Sequence, residues 1–135
     1  MTGSGKTLAF VVPIVEMLLK KYTKESAFDK YHIHSLIISP TRELAQQTFD
    51  VINEFIEYFA DQKRLSCIKF VGGTKHEQDV EQFQNHGGTI VIATPGRFEE
   101  LLKTKTDSFN LIGNLKTLVC FLNDFYLFNY FHSFD

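Results

Sequence analysis

The sequence has few of the features that mark secreted, membrane or fibrous proteins. Only two cysteines occur among 135 residues, Cys67 and Cys120, and they form no CxxC pair. A disulfide framework is therefore excluded, and a reducing, intracellular setting is expected. No apolar run reaches the length of about 18 residues that a membrane span needs, and no small-residue cleavage site follows the apolar stretch after Lys6. We expect neither a membrane span nor a secretory signal.

An excess of basic charge is also missing. Charged residues make up 22% of the chain, and the formal net charge is −2 at pH 7. Any nucleic-acid site must therefore come from individually placed residues, because no broad positive field is available. Hydrophobic residues make up 44% of the chain, which excludes a disordered tail. A chain of this length has room for one domain.

Short apolar runs alternate with amphipathic segments along the chain. The runs are predicted strands, at residues 34–39, 66–71, 89–93 and from 117. The amphipathic segments are predicted helices, at residues 6–21, 41–58, 77–84 and 97–103. This alternation predicts an α/β domain with a mostly parallel sheet. Sheets of this kind bind ligands at the carboxyl ends of their strands, and the polar, glycine-rich segments of this sequence fall at those ends.

The segment TGSGKT at residues 2–7 has the chemistry of a phosphate-binding loop. It opens a predicted helix and matches the end of the pattern G-x-x-x-x-G-K-[ST]. Glycines let backbone N–H groups turn around phosphate oxygens, and the helix start adds partial positive charge. Lys6, the candidate catalytic residue, would reach the β- and γ-phosphates, and Thr7 would bind magnesium. The candidate nucleotide-phosphate ligands are Thr2, Gly3, Ser4, Gly5, Lys6 and Thr7.

Both ends of the sequence depart from a complete domain of this type. The first glycine of the loop pattern would fall before residue 1, and no residues remain for the strand that anchors such a loop. Residues 120–135 are dominated by Phe and Tyr and contain no Lys, Arg, Gly or Pro. We therefore expect residues 1–119 to form a partial domain. We expect residues 120–135 to be an aberrant tail from a splice variant or gene-model error, with an aromatic docking helix as the alternative.

Three further motifs each follow a predicted strand: PTREL at residues 40–44, Gly72-Gly73, and TPGR at residues 94–97. With residues 2–7, in this order and spacing, they make residues 1–119 resemble the first RecA-like domain of DEAD-box ATP-dependent RNA helicases. The resemblance implies a RecA-like P-loop NTPase fold, ATP and magnesium as cofactors, and ATP-dependent unwinding of RNA. Residues 78–102 look most like the subgroup that acts in large ribosomal subunit maturation. That likeness implies ribosomal RNA processing in the nucleus or nucleolus.

In that family the three motifs line one surface that grips the sugar–phosphate backbone of RNA without reading its sequence. The resemblance implies the same role here for Pro40, Thr41, Arg42, Gly73, Thr94, Pro95, Gly96 and Arg97. The chemistry agrees, because arginines can pair with phosphates and helix starts present N–H groups to an anion. Contacts to 2′-hydroxyls would distinguish RNA from DNA.

The acidic motif of that family, Asp-Glu-Ala-Asp, is expected after the strand that begins at Thr117. The sequence instead continues Phe121-Leu122-Asn123, and a single acid follows at Asp124. The Ser-Ala-Thr motif and the second RecA-like domain, which activity would need, are also absent from the sequence. We therefore expect a helicase fragment that is inactive alone. The alternatives are a non-catalytic RNA-binding or interfering module, or another P-loop NTPase such as a small-molecule kinase, which PTREL and TPGR argue against.

Overall fold

The computed structural model describes residues 4–24, 33–58, 65–73, 75–103, 115, 117–122 and 125–130. Within these residues the chain forms four helices and five strands. The helices are α1 (Ser4–Lys24), α2 (Arg42–Tyr58), α3 (His76–His86) and α4 (Pro95–Leu102). The strands are β1 (Ser35–Ile38), β2 (Cys67–Phe70), β3 (Ile90–Ala93), β4 (Thr117–Leu122) and β5 (Phe125–Tyr130). Every predicted helix and strand is confirmed in type, and β5 is an element that the sequence pattern did not predict.

The strands form one sheet in the order β2-β3-β1-β4-β5. The first four strands are parallel, and β5 runs antiparallel to β4. The prediction of an α/β domain with a mostly parallel sheet is confirmed. The chain passes from β1 to β2 through α2, so this connection crosses β3 before it reaches the edge of the sheet.

Helices cover both faces of the sheet, and the alternation of strand side chains decides which face each residue serves. Ile37, Ile92 and Val119 belong to a core cluster with α1 and α2. Leu36 and Val91 belong to a second cluster with α3 and α4. Because both faces are buried, the central strands consist of continuous apolar runs, as is typical of parallel sheets.

Each helix presents an apolar stripe to one of these clusters. On α1, Phe10, Ile14 and Leu18 are spaced four residues apart and are at most 1% exposed. On α3, Phe83 is fully buried against the opposite face. Spacing of this kind places side chains on one side of a helix. Among the described residues, no helix is both long and apolar enough to cross a bilayer.

The strand β5 lies within the segment expected to be an aberrant tail. β4 continues through Leu122, so the boundary expected after residue 119 falls inside a strand. β5 pairs with β4 over six residue pairs, from Leu122–Phe125 to Thr117–Tyr130. Phe and Tyr have high β propensity, which explains why residues 125–130 form a strand and not the docking helix considered as an alternative.

Shortening the chain after Leu122 removes β5 and leaves the outer edge of β4 without that partner. Because an uncovered edge presents unpaired N–H and C=O groups, we expect the shortened chain to unfold at lower temperature and to aggregate more readily. Thermal unfolding by circular dichroism and size-exclusion chromatography of both chains check this. A shortened chain that stays monomeric and equally stable would show that β5 contributes nothing to the sheet.

Candidate nucleic-acid interface

The three motifs that follow β1, β2 and β3 leave the sheet at one level. The register pairs Ala93, the last residue of β3, with both Ile38 and Phe70, the last residues of β1 and β2. One further backbone hydrogen bond extends the pairing of β3 with β1 and with β2. The Ser39 N–H donates to the Ala93 carbonyl at 2.9 Å, and the Thr94 N–H donates to the Phe70 carbonyl at 3.1 Å. The motifs therefore lie side by side at the carboxyl edge, with TPGR between the two glycines and PTREL.

The first motif caps α2. The Leu44 N–H donates to the Thr41 side-chain oxygen at 3.1 Å, and the Ala45 N–H donates to the Thr41 carbonyl at 3.0 Å. Threonine at this position satisfies backbone donors that the first turn of a helix leaves unpaired. In this bond the Thr41 oxygen is an acceptor, so its O–H remains a donor for a phosphate. Pro40, Thr41 and Arg42 are all exposed.

The Arg42 side chain reaches across the end of β3 to the two glycines after β2. A Cβ atom placed on Gly73 would lie 2.8 Å from Nη1 of Arg42, and one placed on Gly72 would lie 3.5 Å from Nη2. Gly73 has φ of +100°, which L side chains rarely adopt. The guanidinium therefore lies directly against the glycine turn while Arg42 stays exposed.

The third motif forms the start of α4. Thr94 is the N-cap residue, with an extended backbone, and its side chain makes no capping hydrogen bond. Pro95 follows in the first turn, where its missing N–H costs nothing. A Cβ atom placed on Gly96 would meet no atom within 4 Å. The start of α4 is therefore open to a group that approaches closely from solvent.

Arg97 is buried, in contrast to Arg42. The Arg97 side chain is 6% exposed, and its Nε lies 3.2 Å from Oδ2 of Asp79 on α3, whose side chain is 7% exposed. This contact is a charge pair without hydrogen-bond geometry. The Arg97 Nη1 also donates to Oε2 of Glu100 at 3.0 Å. The structure thus directs the Arg97 guanidinium toward the buried Asp79 and the exposed Glu100 of the protein itself, whereas the sequence suggested an open phosphate ligand.

Asp79 is a residue that sequence reasoning missed. It lies one helical turn before Phe83 and therefore on the buried face of α3. A carboxylate on an apolar helix face requires a compensating partner, because burial of an isolated charge is costly. The pattern Asp79-x-x-x-Phe83 was the available signal, and Arg97 on the neighbouring helix is the partner.

The phosphate-loop residues are described only in part. Thr2 and Gly3 lie outside the described residues. The backbone of residues 4–6 is helical, and the side chains of Ser4 and Lys6 lie outside the described part of the chain. Thr7 is 4% exposed in the first turns of α1. Met17, further along α1, contacts the hydroxyl of Thr117 at the amino end of β4.

The described residues outside these motifs offer little reactive chemistry. Burial raises the pKa of the Cys67 and Cys120 thiols, which keeps both in the neutral, weakly nucleophilic form at pH 7. Within the described part of the chain, no group of three or more His, Cys, Asp or Glu residues could hold a metal ion. Within the described residues, the candidate binding groups are therefore those at the carboxyl edge of the sheet.

A mostly parallel sheet covered by helices on both faces defines an α/β domain of the kind that binds ligands at the carboxyl ends of its strands. The sequence model of the DEAD/DEAH box helicase family matches residues 1–120. The chain belongs to this family, and the resemblance inferred from the motifs is confirmed.

Individual relatives agree with this assignment. Over 117 residues the chain is 45% identical to the ATP-dependent RNA helicase DDX55 of Gallus gallus, covering 87% of this chain and 19% of that helicase. It is 39% identical over 117 residues to the ATP-dependent rRNA helicase SPB4 of Saccharomyces cerevisiae, covering 82% of this chain and 19% of that protein. The chain thus spans about a fifth of the length of these relatives.

A solved structure confirms the predicted RecA-like fold. The structure of the DEAD-box helicase Mss116 bound to ssRNA and UDP-BeF matches this chain with a TM-score of 0.73 and 30% sequence identity. The match covers 88% of this chain and 22% of that one. The covered part therefore includes most of the sheet and its helices.

Replacing Asp79 by Asn leaves the Arg97 guanidinium buried without this carboxylate. Loss of one partner of a buried ion pair costs about 3–5 kcal/mol, and we expect a loss of that order in the free energy of unfolding, measured with urea. Glu99→Gln is the matched control on α4. Glu99 pairs with Lys103 at 3.7 Å with side chains 72% and 76% exposed, and such pairs contribute less than about 1 kcal/mol. Equal, small losses in both variants would contradict a structural role for Asp79.

Proposed function

We propose that this chain is the ATP- and RNA-binding part of an ATP-dependent RNA helicase that acts on ribosomal RNA. The observation that carries the proposal is the alignment of PTREL, the two glycines and TPGR at one edge of the sheet, with Arg42 exposed above them. The names of the relatives support it, since SPB4 is named an rRNA helicase and Mss116 was solved with ssRNA.

The interface suits the backbone of a single RNA strand. Arg42 supplies a positive charge for a phosphate, and the Thr41 hydroxyl and the open first turn of α4 supply neutral donors. Pro40, Gly73, Thr94, Pro95 and Gly96 shape the surface on which the strand would lie. Arg97 contributes through its place in α4, because its guanidinium is held by Asp79 and Glu100. Contacts of this kind read backbone and not base sequence.

The nucleotide site is proposed at the start of α1. Thr2, Gly3, Ser4, Gly5, Lys6 and Thr7 would hold the ATP phosphates, with Lys6 on the β- and γ-phosphates. Nucleotide-bound magnesium takes most of its ligands from phosphate and water, and the Thr7 hydroxyl is the ligand that residues 2–7 would add. ATP would supply the γ-phosphoryl group, and its transfer to water would drive unwinding in a complete helicase, which we propose includes a second RecA-like domain. Action on ribosomal RNA implies a nucleolar location.

A second function is favoured for the 135-residue chain by itself, namely RNA binding without ATP turnover. The resemblance places the acidic motif directly after Cys120. In the structure β4 continues there through Phe121 and Leu122 and pairs with β5. No carboxylate occupies positions 117–122 of β4, so the described end of this strand offers no acid for magnesium or for the attacking water.

Replacing Arg42 by Ala tests the RNA interface. We expect weaker binding to every single-stranded RNA sequence, and a salt dependence of log Kd that is less steep by roughly 0.7–1 because one phosphate contact is lost. Fluorescence anisotropy with labelled oligouridine at several KCl concentrations measures both quantities. Lys20→Ala is the matched control, since it removes an exposed cation on the part of α1 that lies near the amino edge. Equal effects in the two variants would contradict the proposed interface.

We expect no detectable ATP hydrolysis by the 135-residue chain, with or without RNA, because transfer needs an acidic pair and an arginine finger in addition to Lys6 and Thr7. An arginine finger alone contributes about 10³ to 10⁵ in rate. A steady-state phosphate-release assay checks this, with Lys6→Ala as the control. RNA-stimulated turnover that disappears in Lys6→Ala would show that the site is completed in another way.

A further inference from the structure

The guanidinium of Arg42 packs directly against the glycine turn at residues 72–73. Arg42 follows β1 and the glycines follow β2, so the side chain spans the end of the intervening strand β3. A Cβ atom placed on Gly73 would lie 2.8 Å from Nη1 of Arg42, a separation that real Cβ atoms essentially never show. The space that Gly73 leaves is therefore occupied by the guanidinium.

The two glycines differ in what they contribute. A Cβ atom on Gly72 would lie 3.5 Å from Nη2, which is an ordinary van der Waals contact, and its φ is not in the left-handed region. Gly73 combines φ of +100° with the clash at 2.8 Å. Substitution at Gly72 is accommodated, whereas substitution at Gly73 forces the guanidinium to move.

An exposed arginine side chain binds phosphate better when a neighbouring surface holds its guanidinium in place. Its long side chain loses about 2 kcal/mol of rotamer freedom when it is fixed, and a guanidinium binds phosphate best when its planar fork is held in place. Packing of the Arg42 fork against a turn without side chains restricts its rotation and leaves the opposite side of the group open to solvent.

We propose that Gly73 is a positioning residue that acts on RNA through Arg42. This inference rests on the proposed function, because it assigns the way in which the same interface presents its charge. It differs from a direct role in which the Gly73 backbone touches RNA, since a direct contact would matter whether or not Arg42 is present.

A double-mutant cycle separates these two roles. The variants are Arg42→Ala, Gly73→Ala and the double variant, with Gly72→Ala as the matched control, measured by oligouridine anisotropy over a range of KCl. We expect Arg42→Ala and Gly73→Ala each to weaken binding about tenfold, the size of a charge-assisted hydrogen bond. We expect both to reduce the salt slope equally, whereas lost stability alone would leave that slope unchanged.

The double variant decides the outcome. If Gly73 acts through Arg42, Gly73→Ala changes the affinity of the Arg42→Ala chain by less than about twofold. If Gly73→Ala weakens that chain as much as it weakens the unmodified chain, the proposal is overturned. Should Gly73→Ala unfold by circular dichroism, Gly73→Asn takes its place, because asparagine tolerates positive φ better while carrying the same Cβ atom.

A measurement without RNA keeps this inference distinct from the proposed function. The heteronuclear NOE of the Arg42 Nε–Hε group reports whether the side chain is ordered. We expect an ordered group in the unmodified chain and in Gly72→Ala, and a mobile one in Gly73→Ala. A mobile group in the unmodified chain would overturn the proposal that Gly73 positions the Arg42 guanidinium. An ordered group in a chain that does not bind oligouridine would support the positioning of Arg42 by Gly73 and refute the RNA interface.

Discussion

The hydrogen-bonded register of β1, β2 and β3 is the constraint on which the whole interface depends. The ends of these strands are level, so three motifs separated by many residues in sequence become neighbours at one edge. The two core clusters fix this register, because a slip by one residue would turn Ile37 and Ile92 away from α1 and α2 and toward α3 and α4. The apolar interior of the domain therefore determines where its polar surface can bind.

Two arginines of the interface show how position in the fold decides chemistry. Arg42 and Arg97 both lie in the first turn of a helix that follows a parallel strand. Arg42 lies over glycines and stays exposed, whereas the neighbouring helix α3 presents Asp79 to Arg97 and buries it. One arginine offers charge to a ligand, and the other joins α3 to α4 and so holds the start of α4 in place. The proposed interface depends on both roles.

Local patterns were sufficient to predict the helices, the central strands and the sheet edge where the site lies, because periodicity and turn chemistry are properties of short segments. The contacts between side chains could not be predicted in this way. The approach of Arg42 to Gly73 depends on α2 crossing β3, and the burial of Arg97 depends on α3 lying beside α4. β5 was missed because its aromatic residues lack a clear alternation, and only pairing with β4 determines their conformation.

The reversal of direction between β4 and β5 has a practical consequence for handling the molecule. Tyr130 pairs with Thr117, so the chain leaves β5 at the amino edge of the sheet, opposite the motifs of the proposed RNA interface. A fluorophore, an affinity tag or a surface tether joined downstream of Tyr130 would start roughly one strand length, about 20 Å, from the level of Arg42 and the glycine turn. Immobilisation through this side presents the carboxyl edge outward, which makes single-molecule force or surface-resonance measurements on this chain geometrically straightforward.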